Sequence, residues 1–185
     1  RGDRRRGRLR ELLRHPREFA TVAGLTMGGT LAFYTFTVYM QKFLVNTSGF
    51  SKDAATSITA AALIVYMFAL PVLGWLSDKV GRKTTLAGAF GLGAIVTYPV
   101  FSAIAGTQSA MLAFALMTTL VLILTGYTAI SAVVKAELFP AHVRALGVAL
   151  PYATANAVFG GTAEYVALWF KQQGLESGFY VYVSV

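Results

Sequence analysis

Five polar residues in the first long apolar stretch, Thr26, Thr30, Tyr34, Thr37 and Gln41, recur at steps of four, four, three and four. At 3.6 residues per turn these positions share one helix face. Tyr127, Ser131 and Lys135 repeat the pattern at steps of four in a later stretch, with the lysine last. Such faces offer hydrogen bonds and one cation, which suits holding a polar or anionic solute more than making bonds. Each has a plainer reading. Threonine hydroxyls bond the preceding turn in any membrane helix, so the first face could serve packing. Its continuity favours cavity lining, because Tyr34 and Gln41 need polar partners in lipid. A lysine near a helix end can snorkel to headgroups; alternatively Lys135 is a cation on an inward solute path, or Glu137 or Arg144 instead pairs with it as an inner gate. Asn156 lies eleven residues beyond Ala145, about 16 Å along a helix, where a buried amide must bond a solute or a neighbouring helix. Glu164 lies about 28 Å along by the same rise, where a proton relay competes with an outer-rim or gating role.

Catalytic constellations are not found. His15 and His142 are isolated, neither H-E-x-x-H nor G-x-S-x-G occurs, and Gly91 and Gly93 sit inside an apolar run rather than a phosphate loop. The chain has no cysteine, which excludes disulfides, thiol catalysis and thiolate metal sites. The sequence is therefore not read as an enzyme, and neither metal nor cofactor is expected.

The elements that must position these residues follow from hydropathy. Of 185 residues 56% are hydrophobic and 13% charged, against about a quarter charged in soluble domains. Beyond residue 18 only 13 charged side chains remain, gathered between long charge-free runs. A membrane helix needs about 20 apolar residues, and lipid forbids open strands. The expected spans are about 19–41, 54–76, 84–104, 110–134 and 145–170, with a sixth beginning at 177–185. The third and fourth are joined at Gly106-Thr107-Gln108-Ser109. Pro71, Pro99 and Pro151 are expected to kink their helices. Gly24 and Gly28 form a GxxxG pair that permits close helix approach.

The net charge of +8 suggests nucleic acid at first sight. Its distribution points instead to orientation, and no aromatic interleaving or zinc-ligand spacing supports nucleic-acid binding. Placing the arginine-rich start in the cytoplasm puts 13 basic residues inside and three outside, Lys42, Lys52 and Lys171. Residues 1–18 then form a basic cytoplasmic linker, with Leu9 to His15 as a short amphipathic helix at the surface. A 23-residue apolar run followed by four more argues against a cleaved signal peptide.

Gly74-Trp75-Leu76-Ser77-Asp78-Lys79-Val80-Gly81-Arg82-Lys83, between the second and third spans, reads as a tight connection. Gly74 and Gly81 would supply close approach or positive φ, and Asp78 would cap the next helix and pair with Arg82. This decapeptide resembles the signature loop of the major facilitator superfamily. The tract Lys135-Ala136-Glu137-Leu138-Phe139-Pro140-Ala141-His142-Val143-Arg144 resembles a loop of its metabolite:proton symporter branch. Phe33 to Lys42, Val143 to Val148 and Asn156 to Leu168 are similar to the α-ketoglutarate carriers of that branch.

The resemblance implies an all-α membrane protein, the second six-helix half of a twelve-helix transporter, ending within the last helix. It implies a solute cavity between two rocking halves, with the N-terminal half as a missing partner and the Asp78–Arg82 loop stabilising the state closed to the cytoplasm. The expected function is uptake of α-ketoglutarate or a similar dicarboxylate with a proton across the bacterial plasma membrane. Shikimate, citrate or a zwitterionic osmolyte are alternative cargoes, and a non-transporting receptor is a further reading. The expected partners are thus a small carboxylate, a proton, the lipid bilayer and the other half. No arginine lies within a span here, so the main carboxylate-binding cations are expected from that half.

Overall fold

The computed structural model describes residues 15–185, which form helices and short turns. Helix α1, Pro16–Asn46, opens on a proline whose missing N–H costs nothing in a first turn, and it is interrupted by a π-helical turn at Thr35–Tyr39. Helix α2, Lys52–Val80, is capped by Ser51, whose Oγ accepts the Ala54 N–H at 3.2 Å. A single residue, Gly81, separates α2 from α3, Arg82–Gly106; its φ of 101° is one that residues with a Cβ rarely adopt. Helix α4, Ala110–Glu137, breaks for two residues after Thr128 and resumes at Ser131. Helix α5 covers residues 144–172, with a second π turn at Asn156–Gly160, and α6 is Glu176–Ser184.

Helices α1 to α4 are long and apolar enough to cross a membrane. Helix α5 has the length, but Arg144, Glu164 and Lys171 lower its apolarity, and it is not among those four. Ile64, Met67, Phe68, Val72 and Trp75 of α2 and Ile95 of α3 are exposed, an outer face suited to hydrocarbon rather than water. The helices extend a few residues past the charge-free runs at both ends, because lysines and acids at helix ends reach the polar interface. Pro71, Pro99 and Pro151 lie inside α2, α3 and α5. Of the basic linker, residues 1–14, with nearly all of the Leu9–His15 segment, lie outside the described residues, and Pro16 to Glu18 already belong to α1.

Helix α4 packs along both α2 and α3, α5 lies against α1, and α6 against α3. The main core is aromatic at the end away from Gly81. Phe43 stacks edge-on with Phe101 at 5.1 Å, Phe101 meets Tyr180 at 5.3 Å, and Tyr39 meets Phe179 at 5.4 Å. A smaller cluster of Val22, Phe139 and Val143 holds the tract after α4 against α1 at the other end.

Two readings of glycine are corrected. Gly74 lies inside α2 with a Cβ position free of neighbours, so only Gly81 turns the chain. Asp78 consequently sits in the last turn of α2 and caps nothing; the N-cap of α3 is Gly81 itself. Helix α2 persists because nothing before the positive-φ glycine forces it to stop. Within α1, Gly24 also faces open space, and the tightest approach falls one residue beyond the expected pair, at Gly29.

Candidate functional site

Helices α1, α2, α4 and α5 line a half-open cavity of about 250 Å³. It brings together Thr30 and Tyr34 from α1, Tyr127, Ser131 and Lys135 from α4, and Asn156 from α5. Two glycines make the convergence possible. A Cβ on Gly29 would lie 2.0 Å from Tyr127 Cζ, so only glycine lets that ring pack on the α1 backbone. A Cβ on Gly160 would lie 2.7 Å from Tyr34 Cε2 and 2.9 Å from Thr30 Cγ2, which seats the π turn of α5 against the α1 polar face. That seat carries Asn156, the first residue of the π turn, to the cavity wall. Wide helical turns of this kind are frequent at functional sites.

Lys135 is 3% exposed, which overrules the snorkelling reading, since a snorkelling ammonium stands in water. Its Nζ donates to the Tyr127 hydroxyl at 2.8 Å and lies 5.1 Å from the Tyr127 ring centre and 5.2 Å from that of Tyr152. Among the described residues no carboxylate pairs with it. An ammonium taken out of water costs several kcal/mol unless charge or dipoles compensate. Here hydroxyls and ring faces do so in part, and an entering anion would complete the compensation. On the facing wall the Tyr66 hydroxyl donates to Thr128 Oγ1 at 2.9 Å, and Thr128 donates on to the Leu124 carbonyl at 3.2 Å. Among the described residues no acid lines the cavity, which offers an anion one ammonium and several hydroxyls.

Other residues expected on the solute path lie elsewhere. Thr37 donates to the Phe33 carbonyl at 2.6 Å within α1, and Gln41 donates to Thr56 Oγ1 at 2.7 Å, tying α1 to α2. The π turn between Tyr34 and Gln41 shifts the face, so the regular stripe of the sequence is split. Thr26 is buried and bonds the Val22 carbonyl. Glu137 turns from Lys135 and pairs with Arg82, which also lies 3.5 Å from Asp78. Arg144 donates from Nε to the Phe139 carbonyl at 3.2 Å and caps the intervening loop. Glu164 pairs with Lys42 at the opposite end of the bundle, beside Lys171, which donates to the Asn46 carbonyl at 2.7 Å. Among the described residues no cluster of His, Asp and Glu could hold a metal ion.

Tyr66, Thr128 and Tyr152 line the cavity without having been singled out in the sequence. Two carried a signal. Tyr152 stands four residues before Asn156 on the same face, and Tyr66 is a hydroxyl in mid-span that needs a partner in lipid. Thr128 stands beside Tyr127, and its role depends on the break in α4.

The sugar (and other) transporter family matches residues 3–185. The chain is 51% identical over 179 residues to the α-ketoglutarate permease of Escherichia coli K12, covering 97% of the chain and 41% of that protein. It is 32% identical to the citrate-proton symporter of Klebsiella pneumoniae, covering 76% of the chain and 32% of that protein. It is 28% identical to the proline/betaine transporter of Escherichia coli K12, covering 84% of the chain and 31% of that protein. The chain thus spans about two fifths or less of these relatives' lengths. No solved structure matches it. With its apolar helices and this match along nearly its whole length, the chain is a membrane protein of the sugar (and other) transporter family, within the major facilitator superfamily.

Proposed function

We propose that this chain is the second half of a twelve-helix carrier that takes up α-ketoglutarate or a similar dicarboxylate, with a proton, across the bacterial inner membrane. The observation that carries the reading is the buried Lys135, which among the described residues has no carboxylate partner and stands at a cavity lined by no acid. A carboxylate about 4 Å from such a cation gains roughly 4 kcal/mol at an effective dielectric constant near 20, whereas a neutral hydrogen bond nets about 1 kcal/mol. Charge therefore decides the cargo, and the hydroxyls of Thr30, Tyr34 and Ser131 orient it. A dicarboxylate needs a second cation, which the reading assigns to the other half. The similarity to a permease named for α-ketoglutarate favours that acid, and the relative named as a citrate-proton symporter supports coupling to protons. Glu164, paired with Lys42 at the far end, is assigned to the outer rim.

A zwitterionic cargo fits less well, because its cationic group would meet Lys135 with no acid among the described lining residues to receive it. The test is uptake of labelled α-ketoglutarate into membrane vesicles bearing the full carrier, with citrate, shikimate and betaine as competitors and with the proton gradient intact or collapsed. Lys135→Met is expected to raise KM at least tenfold and Tyr34→Ala severalfold. Unaltered kinetics in both variants removes the cavity from the transport path. Competition by betaine but not by citrate would reassign the cargo.

A further inference from the structure

The Lys135 ammonium lies between two aromatic rings contributed by different helices. Tyr127 of α4 presents its ring at 5.1 Å and its hydroxyl at 2.8 Å, and Tyr152 of α5 presents its ring at 5.2 Å. A buried lysine is ordinarily paired with a carboxylate. Such a pair would leave the site close to neutral and cancel the attraction for an anion. A ring face behaves differently. Its quadrupole attracts the cation without contributing a charge, so the site keeps its positive charge.

We propose that Tyr152 is a specificity-determining positioning residue: its ring, with the Tyr127 hydroxyl opposite, forms a clamp that stands in for a counter-ion and holds Lys135 charged and directed at the carboxylate of the solute. The proposal rests on the reading of the cavity as the solute site. The two sides of the clamp are not equivalent. Tyr127 is buried, fixed by Gly29 on one side and by Phe90 at 5.4 Å on the other, whereas Tyr152 is 47% exposed and lies on α5 just before its π turn. Tyr152 is thus the adjustable jaw. Because the Tyr152 ring already holds Lys135, and Tyr127 is packed between Gly29 and Phe90, neither ring is free to receive a second cation, and the clamp selects carboxylates against quaternary ammonium solutes.

The experiment compares Tyr152→Phe, Tyr152→Leu and Tyr152→Met with Lys135→Met in the full carrier, normalised to the amount in the membrane. Readouts are KM and maximal rate for α-ketoglutarate and the inhibition constant of betaine. The clamp predicts that Tyr152→Phe, which keeps the ring, stays within twofold of the parent. Tyr152→Leu should raise KM five- to tenfold with maximal rate changed less than twofold, and should narrow the preference for α-ketoglutarate over betaine. Tyr152→Met is the second ringless variant should the leucine protein fail to reach the membrane. An unchanged KM in the ringless variants overturns the proposal, as does a phenylalanine variant as impaired as they are, which would assign the effect to the hydroxyl. Should Lys135→Met raise KM while the ringless variants do not, the clamp fails and the solute site stands. Should Lys135→Met itself change nothing, the solute site fails first.

Discussion

At the scale of single residues, the site depends on where side chains are missing as much as on where they are present. Gly29 and Gly160 remove bulk at two points where α1 meets Tyr127 of α4 and the π turn of α5. Adding one methyl at Gly29 drives it to within 2.0 Å of the Tyr127 ring, which must then leave its place beside Phe90 and Lys135. Overpacking of this kind costs about 1 to 3 kcal/mol. Gly29→Ala is therefore expected to lower the Tm of the detergent-solubilised carrier by several degrees and to raise KM. Gly24→Ala, with nothing within 4 Å of its Cβ position, should leave both unchanged. Equal melting curves for the two variants would contradict the close contact drawn here.

At the scale of elements, the ends of α2, α3 and α4 are joined by charge. Arg82 at the start of α3 reaches back to Asp78 in the last turn of α2 and across to Glu137 at the end of α4. Helix α2 ends cleanly because Gly81 takes a φ of 101°, and that single-residue turn holds Asp78 within 3.5 Å of Arg82. These side chains are substantially exposed, and water screens exposed pairs, so each contributes little to stability. They are too weak to hold the fold yet strong enough to bias two conformations of a carrier. Asp78→Asn is expected to lower maximal uptake severalfold, with KM within twofold. Glu137→Gln should cost more, because it cuts the tie between α3 and α4. Rapid filtration of vesicles separates the two parameters, and an unchanged maximal rate in both variants would sever the loop from turnover.

At the scale of the whole molecule, apolarity and charge are distributed together. The outward faces of α2 and α3 carry large exposed apolar side chains, while the cations gather at helix ends, 13 on one side and three on the other in the sequence count. That asymmetry predicts the 74–83 end in the cytoplasm. The chain contains no cysteine, so a single introduced thiol reports its own location. Lys79→Cys should react with a membrane-impermeant maleimide only after cells are opened, and Lys52→Cys should react on intact cells. The reverse pattern would invert the orientation and move Glu164 to the inner rim. If the rest of the carrier contains cysteines, these are first replaced by serine.

The sequence alone determined the helical character, the approximate limits of the long helices and the family. The physical reason is that a charge-free run of membrane length has few stable alternatives to a helix. It also marked six of the cavity-lining residues, because residues three or four apart share a face whatever packs against it. Tertiary structure decided which faces meet. The π turn at Thr35–Tyr39 detached Thr37 and Gln41 from the stripe, and Gly81 alone made the turn assigned to two glycines. Lys135 became a buried cation only because Tyr127 and Tyr152 converge on it from α4 and α5. Spacing along one helix is a local property and can be read from sequence. Contact between residues 17 apart, across a loop and onto a second helix, depends on how glycine-sized gaps let backbones approach.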